Sequence, residues 1–327
     1  MKSFFLILIA LIITVENFSQ TFYSQPFAHT YSIVARDSIT GEMGVAVQSH
    51  WFSVGSIVAW GEAGVGVIAT QSFVNVSFGL RGLELLKQGL SPQQVVDSLI
   101  YLDEGRDFRQ LAVMNNKGIT AAYTGKKCID EAGHINKKNF SVQANMMLKN
   151  TAWDKMSDAF QKSNEPLAER MIAALQAAQA EGGDIRGQQS ASIIIYKGEA
   201  SGKIWEDKLM DLRVEDHKDP VNELKRLVKV HRAYEHMNKG DLAIEKGDME
   251  GAMKEYALAS KLFPENVEMK YWAAITLINN GKIDEALPML KHVFDKDPNW
   301  RTLTSRLPKS ELLNVDEPTL KKILSIK

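Results

Sequence analysis

The chain has 327 residues, room for about two domains, and its 45% hydrophobic and 24% charged residues exclude a wholly disordered protein. Its 39 basic and 40 acidic residues give a net charge of −1, so the chain offers no basic field for a nucleic acid. A single cysteine excludes an internal disulfide and any zinc site built from cysteines.

The chain begins with a short apolar run behind a positive charge. Residues 4–15 are apolar apart from Thr14, and Lys2 precedes them. A span needs about 20 apolar residues to cross a bilayer, so this run predicts a signal peptide over residues 1–20. Cleavage is expected near residues 19–21, which would leave an exported protein, periplasmic or secreted, with no membrane attachment. An uncleaved membrane anchor is the alternative.

Short runs rich in Val, Ile and Ala follow, and turn-forming residues separate them. These runs predict four strands, at residues 31–35, 43–49, 56–60 and 65–70. Because the runs are apolar on both faces, they indicate a sheet that is covered on both sides.

The middle of the chain mixes predicted helices and strands. Ser91 and Pro92 form a helix start, and residues 115–118 form a hairpin turn. The predicted helices cover residues 79–88, 91–103 and 153–180, and the predicted strands 109–114, 119–123, 140–145, 191–196 and 211–214. Strands, helices, strands, a helix and strands in this order favour a layered α+β domain.

Beyond about residue 221 the strand pattern stops and a repeat begins. Three pairs of residues are each 34 positions apart, namely Gly247 and Gly281, Ala252 and Ala286, and Pro264 and Pro298. A 34-residue period with Gly in the turn, Ala at the helix crossing and Pro after the second helix is typical of tetratricopeptide repeats. Residues 233–327 are therefore predicted to form an all-α repeat domain that presents a surface to a protein partner.

A set of polar residues interrupts the apolar strands or lies at their ends. Such side chains are costly to bury unless they form hydrogen bonds, so their position at strand ends indicates either a pocket or ties between loops. The set comprises Ser49, Gln71, Asn75, Asp107, Arg109, Gln110, Gln143, Asn145, Arg186, Gln189 and Ser190.

The same region resembles a bacterial family, the domain of unknown function 1028. The matching segments occur in order at residues 30–37, 41–49, 62–71, 107–110, 124–125, 128, 132–134, 143–145, 186–190 and 211–217. The resemblance covers residues 30–231. It implies membership of the N-terminal-nucleophile (Ntn) hydrolase superfamily and a four-layer αββα sandwich.

That resemblance also implies a mechanism. The side chain of the first residue of a mature Ntn hydrolase attacks the substrate, and its own α-amine, with a pKa of about 7.7–8, acts as the base. Thr30 is the expected nucleophile, Asn145, Gln71 and Asn75 the expected amide donors to an oxyanion, and Arg109 or Arg186 the expected clamp for a substrate carboxylate. Ser49, Asp107 and His134 are expected to contact substrate. No metal or cofactor is expected.

The sequence therefore supports an exported hydrolase that cleaves an amide bond in a small molecule or peptide, with the repeats binding a protein partner. Gln48 and Trp60 stand where proteasome-type members of the superfamily carry Asp and Lys. These replacements favour the alternative, a non-catalytic binding or scaffold protein that keeps the fold and acts through its repeats. A pocket that binds a ligand without cleaving it is a third interpretation.

Overall fold

The structure is a computed structural model that describes residues 27–326. It divides into two compact units, one up to Arg226 and one from Leu227 onward. The predicted signal peptide lies outside the described residues. Within residues 27–326, no helix has the length and apolar character needed to span a bilayer.

The first unit contains two antiparallel sheets, one of five strands and one of six. The five-stranded sheet is built from β1 (Phe27–Ala28), β4 (Ala59–Glu62), β5 (Gly66–Phe73), β6 (Arg109–Asn115) and β7 (Thr120–Thr124). The six-stranded sheet is built from β2 (Thr30–Arg36), β3 (Met43–Ser49), β8 (Gly133–Lys137), β9 (Phe140–Ala144), β10 (Ser190–Tyr196) and β11 (Lys208–Val214). Every strand pairing in both sheets is antiparallel.

The two sheets face each other across an apolar cluster. Val34 and Val45 from one sheet pack with Val67 and Ala112 from the other, and all four are fully buried. Helices α1 (Ser77–Lys87) and α2 (Pro92–Tyr101) pack on the five-stranded sheet, α3 (Ala152–Lys162) and α4 (Leu167–Ala180) on the six-stranded sheet, and the short α5 (Ile204–Asp207) precedes β11. Both sheets are thus covered on both faces, as the apolar runs predicted.

Local turn chemistry closes the predicted hairpins. Asp37 Oδ1 accepts hydrogen bonds from two backbone amides of the β2–β3 turn, and Gly41 completes the turn at φ +79°. Asn115 Oδ1 acts in the same way in the β6–β7 turn, where Gly118 has φ +75°. Both glycines occupy the left-handed region that disfavours other residues. The predicted hairpin at residues 115–118 is confirmed.

Three sequence predictions need correction. The single helix predicted at 153–180 is wrong, because the chain leaves helical geometry between Lys162 and Leu167, where Pro166 disfavours helix in the residue before it. The strand predicted at 56–60 begins later, after a 3₁₀ turn at Val54–Ser56. Strands β1 and β8 were not predicted, because β1 has only two residues and β8 is half-exposed without apolar alternation.

The second unit is helical. Its helices are α6 (Pro220–Glu245), which begins in the first unit, α7 (Met249–Leu262), α8 (Glu268–Asn279), α9 (Ile283–Lys296), α10 (Asn299–Arg306) and α11 (Glu317–Leu324). Ala252 and Ala286 are both fully buried, and Gly247 and Gly281 both adopt φ close to +76° after a helix. Equivalent positions of the 34-residue period therefore have equivalent structural roles.

The glycine turns give a stability prediction. A Cβ at Gly281 would meet no atom within 4 Å, so Gly281→Ala is penalised only by its left-handed backbone. We expect this variant to lose about 1 kcal/mol of unfolding free energy in urea. Lys254→Ala, at an exposed helical position, is the control and is expected to change stability by less than about 0.5 kcal/mol. Equal stability of wild type and Gly281→Ala would contradict the left-handed backbone conformation of Gly281.

Candidate active site between the two sheets

Thr30 is the first residue of β2 and is fully buried. It lies on the same strand face as Ser32 and Val34, which is the face directed at the other sheet. The main-chain oxygen of Thr30 accepts hydrogen bonds from Asn145 N at 3.1 Å, Asn145 Nδ2 at 3.3 Å and Gln71 Nε2 at 3.1 Å. The structure thus brings the three predicted catalytic residues together.

Gln110 determines how these amides are oriented. Its Nε2 donates to the main-chain oxygen of Ala144 at 2.9 Å, so its Oε1 must be the acceptor. That oxygen accepts from Gln71 Nε2 at 2.7 Å and from Asn145 Nδ2 at 2.8 Å. Since a main-chain carbonyl can only accept, the orientation of all three amides is fixed.

The network extends along both sheets. Gln71 Oε1 accepts from Ser32 Oγ at 2.5 Å, and Ser32 Oγ in turn accepts from Gln143 Nε2 at 2.5 Å. On the other side, Gln110 Nε2 donates to Thr124 Oγ1 at 2.8 Å, and Thr124 Oγ1 lies 2.8 Å from His134 Nδ1. His134, predicted to contact substrate, is therefore linked to Thr30 through the intervening side chains of Thr124, Gln110 and Asn145.

The peptide bond before Thr30 has its own pair of donors. Ser49 Oγ donates to the main-chain oxygen of His29 at 2.6 Å, and Arg186 Nη2 donates to the same oxygen at 3.0 Å. Asp184 holds the Arg186 guanidinium through two contacts, Nε to Oδ1 at 3.0 Å and Nη2 to Oδ2 at 2.7 Å. Two fixed donors on one carbonyl oxygen are the arrangement that stabilises an oxyanion.

The His29 ring is held in a defined state. Asn145 Nδ2 is engaged as a donor, so Asn145 Oδ1 accepts from His29 Nδ1 at 2.8 Å and the ring proton lies on Nδ1. The Phe73 ring stands perpendicular to the imidazole with 5.6 Å between centroids. Burial lowers the pKa of His29, so the ring is neutral near pH 7.

The segment before Thr30 is part of the fold. Phe27 pairs with Phe73 and Ala28 with Ser72, which adds β1 to the five-stranded sheet, whereas β2 belongs to the six-stranded sheet. The chain therefore crosses from one sheet to the other at His29. The Thr30 hydroxyl donates to the main-chain oxygen of Ala28 at 2.5 Å.

Three predicted site residues have other contacts. Asn75 Oδ1 accepts from Ser77 N at 3.2 Å at the start of α1. Arg109 is buried, with Nε 2.6 Å from Asp103 Oδ2, so its guanidinium already holds a carboxylate. Asp107 pairs with Lys126 at 3.4 Å. The structure gives these residues local roles, and it does not bring them to Thr30 through any hydrogen bond of the described residues.

Sequence reasoning missed other members of the site. His29, Ser32 and Asp184 were not singled out, although Ser32 is a polar residue on the same strand face as Thr30 and alternation could have indicated it. Two residues next to the network are non-glycines with left-handed backbone, Ser72 at φ +72° and Met146 at φ +58°. Such conformations cost about 1–3 kcal/mol and concentrate at functional sites.

A family described as a family of unknown function, DUF1028, matches residues 30–224, and a tetratricopeptide repeat family matches residues 243–307. The chain is similar to the crystal structure of protein SPO2555 from Silicibacter pomeroyi, also assigned to DUF1028, with 29% identity and a TM-score of 0.56. That match covers 62% of this chain and 88% of the other. No curated protein matches this chain.

Removing the central amide should destabilise the first unit. Gln110→Leu leaves the amides of Gln71 and Asn145 without a shared acceptor in a fully buried position. We expect a loss of about 2–4 kcal/mol in urea unfolding, since each buried unpaired donor costs about 1–3 kcal/mol. Gln161→Leu, at an exposed position, is the matched control. A loss no larger than that of the control would contradict the role given to Gln110.

Acidification should destabilise the same unit. Burial lowers the pKa of both His29 and His134 from the ordinary value of 6.5, so below that pH the unfolded chain binds protons that the folded chain resists. Unfolding free energy should fall as pH drops from 7.5 to 5.5. With Thr30→Ala present in both chains that are compared, His29→Gln combined with His134→Gln should flatten this dependence. An unchanged slope would show that other groups cause it.

Proposed function

The chain belongs to the DUF1028 family through residues 30–224, and we propose that this domain is an exported hydrolase precursor with Thr30 as its nucleophile. Cleavage of the His29–Thr30 peptide bond activates it. The mature enzyme then cleaves an amide bond in a small molecule or peptide. The DUF1028 domain is followed by tetratricopeptide repeats, an architecture of the protein-interaction type.

One observation carries this proposal. The carbonyl oxygen of His29 already receives two hydrogen bonds, from Ser49 Oγ and Arg186 Nη2, while the Thr30 hydroxyl belongs to the next residue. Donors fixed by a strand and by the Arg186–Asp184 ion pair are suited to the charge that develops when this carbonyl is attacked.

The cleavage step balances as follows. Thr30 Oγ1 forms a bond to the carbonyl carbon of His29, and the carbonyl electrons move onto the oxygen held by Ser49 and Arg186. The intermediate collapses, the carbon–nitrogen bond breaks, and the hydroxyl proton ends on the departing amine. Water then hydrolyses the ester, which frees the His29 carboxylate and the Thr30 hydroxyl. The liberated α-amine, with an ordinary pKa of about 7.7–8, is the base for later turnovers.

The contacts indicate other roles for the amide donors and for Arg186 than the sequence predicted. Asn145 and Gln71 donate to the main-chain oxygen of Thr30 and therefore position the nucleophile. Ser49 and Arg186 are the donors that face the attacked carbonyl. In the proposed mature site these two groups bind the oxyanion of the substrate.

Two further features belong to the proposal. Facing antiparallel sheets with helices on each outer side, and a threonine at the start of a strand directed between the sheets, support the four-layer αββα sandwich of the Ntn superfamily. Export rests on the signal peptide predicted at residues 1–20. Signal removal near residues 19–21 would leave a short segment before Thr30, which the second cut removes.

A second candidate function is a non-catalytic interaction protein. Phe27 and Ala28 pair with β5 of the five-stranded sheet, and Thr30 is fully buried. The residues just before Thr30 therefore have a defined place in the uncut chain. Gln48 is fully buried, and its neutral amide supplies no charge at the position where the resemblance led us to expect Asp. In this interpretation the tetratricopeptide repeats perform the function.

Mass spectrometry of the natively exported protein tests the proposal. We expect wild type and Thr30→Ser to begin at residue 30, and Thr30→Ala to retain residues 27–29. Ser49→Ala should slow cleavage by about 10²–10³-fold, as expected for loss of one oxyanion donor. Thr302→Ala, at an exposed position of the second unit, is the control and should cleave at the wild-type rate.

The opposite result favours the second candidate. A wild-type chain that retains residues 27–29, with no amide hydrolysis that depends on Thr30, would contradict the hydrolase. Capture of a protein partner that requires residues 233–300 and is unaffected by Thr30→Ala would then support the interaction protein.

A further inference from the structure

The residue on the acyl side of the proposed cut is His29. Asn145 and Phe73, which contact its ring, remain in the chain after cleavage and would line the cavity that His29 vacates. We infer that this cavity is the acyl-side specificity subsite of the mature enzyme and that it selects an extended peptide with histidine before the cleaved bond. The inference rests on the proposed function, because the cavity is vacated only if the His29–Thr30 bond is cut.

The backbone of such a peptide has a place prepared for it. Ala28 and Phe27 pair antiparallel with Ser72 and Phe73 of β5. The neighbouring edge strand β4 pairs with β5 only as far as Ala59 opposite Ala69, so β1 continues the edge beyond it. Removal of β1 would leave main-chain donors and acceptors of β5 unpaired next to Thr30, and an extended peptide can replace a strand at such an edge.

Asn145 offers an acceptor and Phe73 an aromatic wall to a side chain in this cavity. Asn145 Oδ1 lies 2.8 Å from His29 Nδ1, and the Phe73 ring is perpendicular to the imidazole. His29 is only 1% exposed, so a side chain in this position is removed from water. Its carbonyl oxygen accepts from Ser49 and Arg186, the donors to which the proposed function assigns the oxyanion of the substrate.

These contacts discriminate among side chains. Gln110 and the Thr30 carbonyl oxygen occupy the Asn145 amide group, so Asn145 presents only an acceptor to the cavity. Leucine would leave that acceptor buried without a donor, and glutamate would place a second acceptor against it. A site built around a hydrogen bond rejects analogues that lack the group, because the buried partner is left unpaired.

Hydrolysis of three peptides tests the inference. The enzyme is the protein cleaved before Thr30, with both units present. Phe-Ala-His, Phe-Ala-Leu and Phe-Ala-Glu are each linked through the carboxyl group to aminomethylcoumarin, and kcat/KM is measured after dialysis removes the released segment. We expect the histidine peptide to exceed the other two by at least about 10-fold, the factor expected for one unpaired buried polar group. Equal or faster cleavage of the leucine or glutamate peptide overturns the inference.

The rate of self-cleavage provides an independent readout. His29→Leu and His29→Glu should slow formation of the Thr30 N-terminus at least about 10-fold, whereas His29→Gln keeps an N–H donor and should remain within about 3-fold of wild type. Phe73→Leu should reduce the preference for the histidine peptide over the leucine peptide. Equal rates for His29→Gln and His29→Leu overturn the inference.

Failure of this inference and failure of the proposed function are distinguishable. A processed protein that prefers another peptide contradicts the histidine subsite and leaves Thr30 as nucleophile. A protein whose mass includes residues 27–29, and which hydrolyses none of the three peptides, contradicts the proposed function and the subsite with it.

Discussion

The hydrogen bonds of the Gln110 side chain are the constraint on which the rest of the first unit depends. One amide bonds to a main-chain oxygen of the opposite sheet and accepts from two further amides, Gln71 and Asn145. A polar side chain between two sheets is costly unless its groups are paired, so this bonding favours the observed alignment of the sheets. Alignment in turn places Thr30 beside Asn145 and the His29 carbonyl beside Ser49 and Arg186.

Features with local causes could be predicted from the sequence, and features with distant causes could not. The turns at Gly41 and Gly118 and the 34-residue repeat follow from residue types at short, fixed spacing. Strand β1 forms because Phe27 and Ala28 pair with Phe73 and Ser72, more than forty positions away in the chain. A run of two residues has no local pattern from which such a pairing could be predicted. The break in the helix before Pro166 has a local cause, the proline itself, and could have been predicted from the sequence.

The candidate site shows the same limit in chemical terms. Thr30, Gln71, Asn145, Ser49 and Arg186 were identified as polar residues at strand ends or through family resemblance, and the structure brings all five to two consecutive peptide units, those that precede and follow Thr30. Their roles depend on what each atom faces, which spacing does not encode. Arg109 illustrates this, since nothing in the order of residues reveals that Asp103 already neutralises it.

The two donors to the His29 carbonyl, Ser49 and Arg186, lie far apart in the chain, which has a consequence for the timing of the proposed self-cleavage. Ser49 comes from β3, while Arg186 follows α4, more than a hundred positions later in the chain. The two donors can reach the same carbonyl oxygen only after both segments have been synthesised and the six-stranded sheet has formed. The proposed self-cleavage would therefore require completed folding. Nascent or misfolded chains would not form the Thr30 N-terminus, and the cut, once made, would be irreversible.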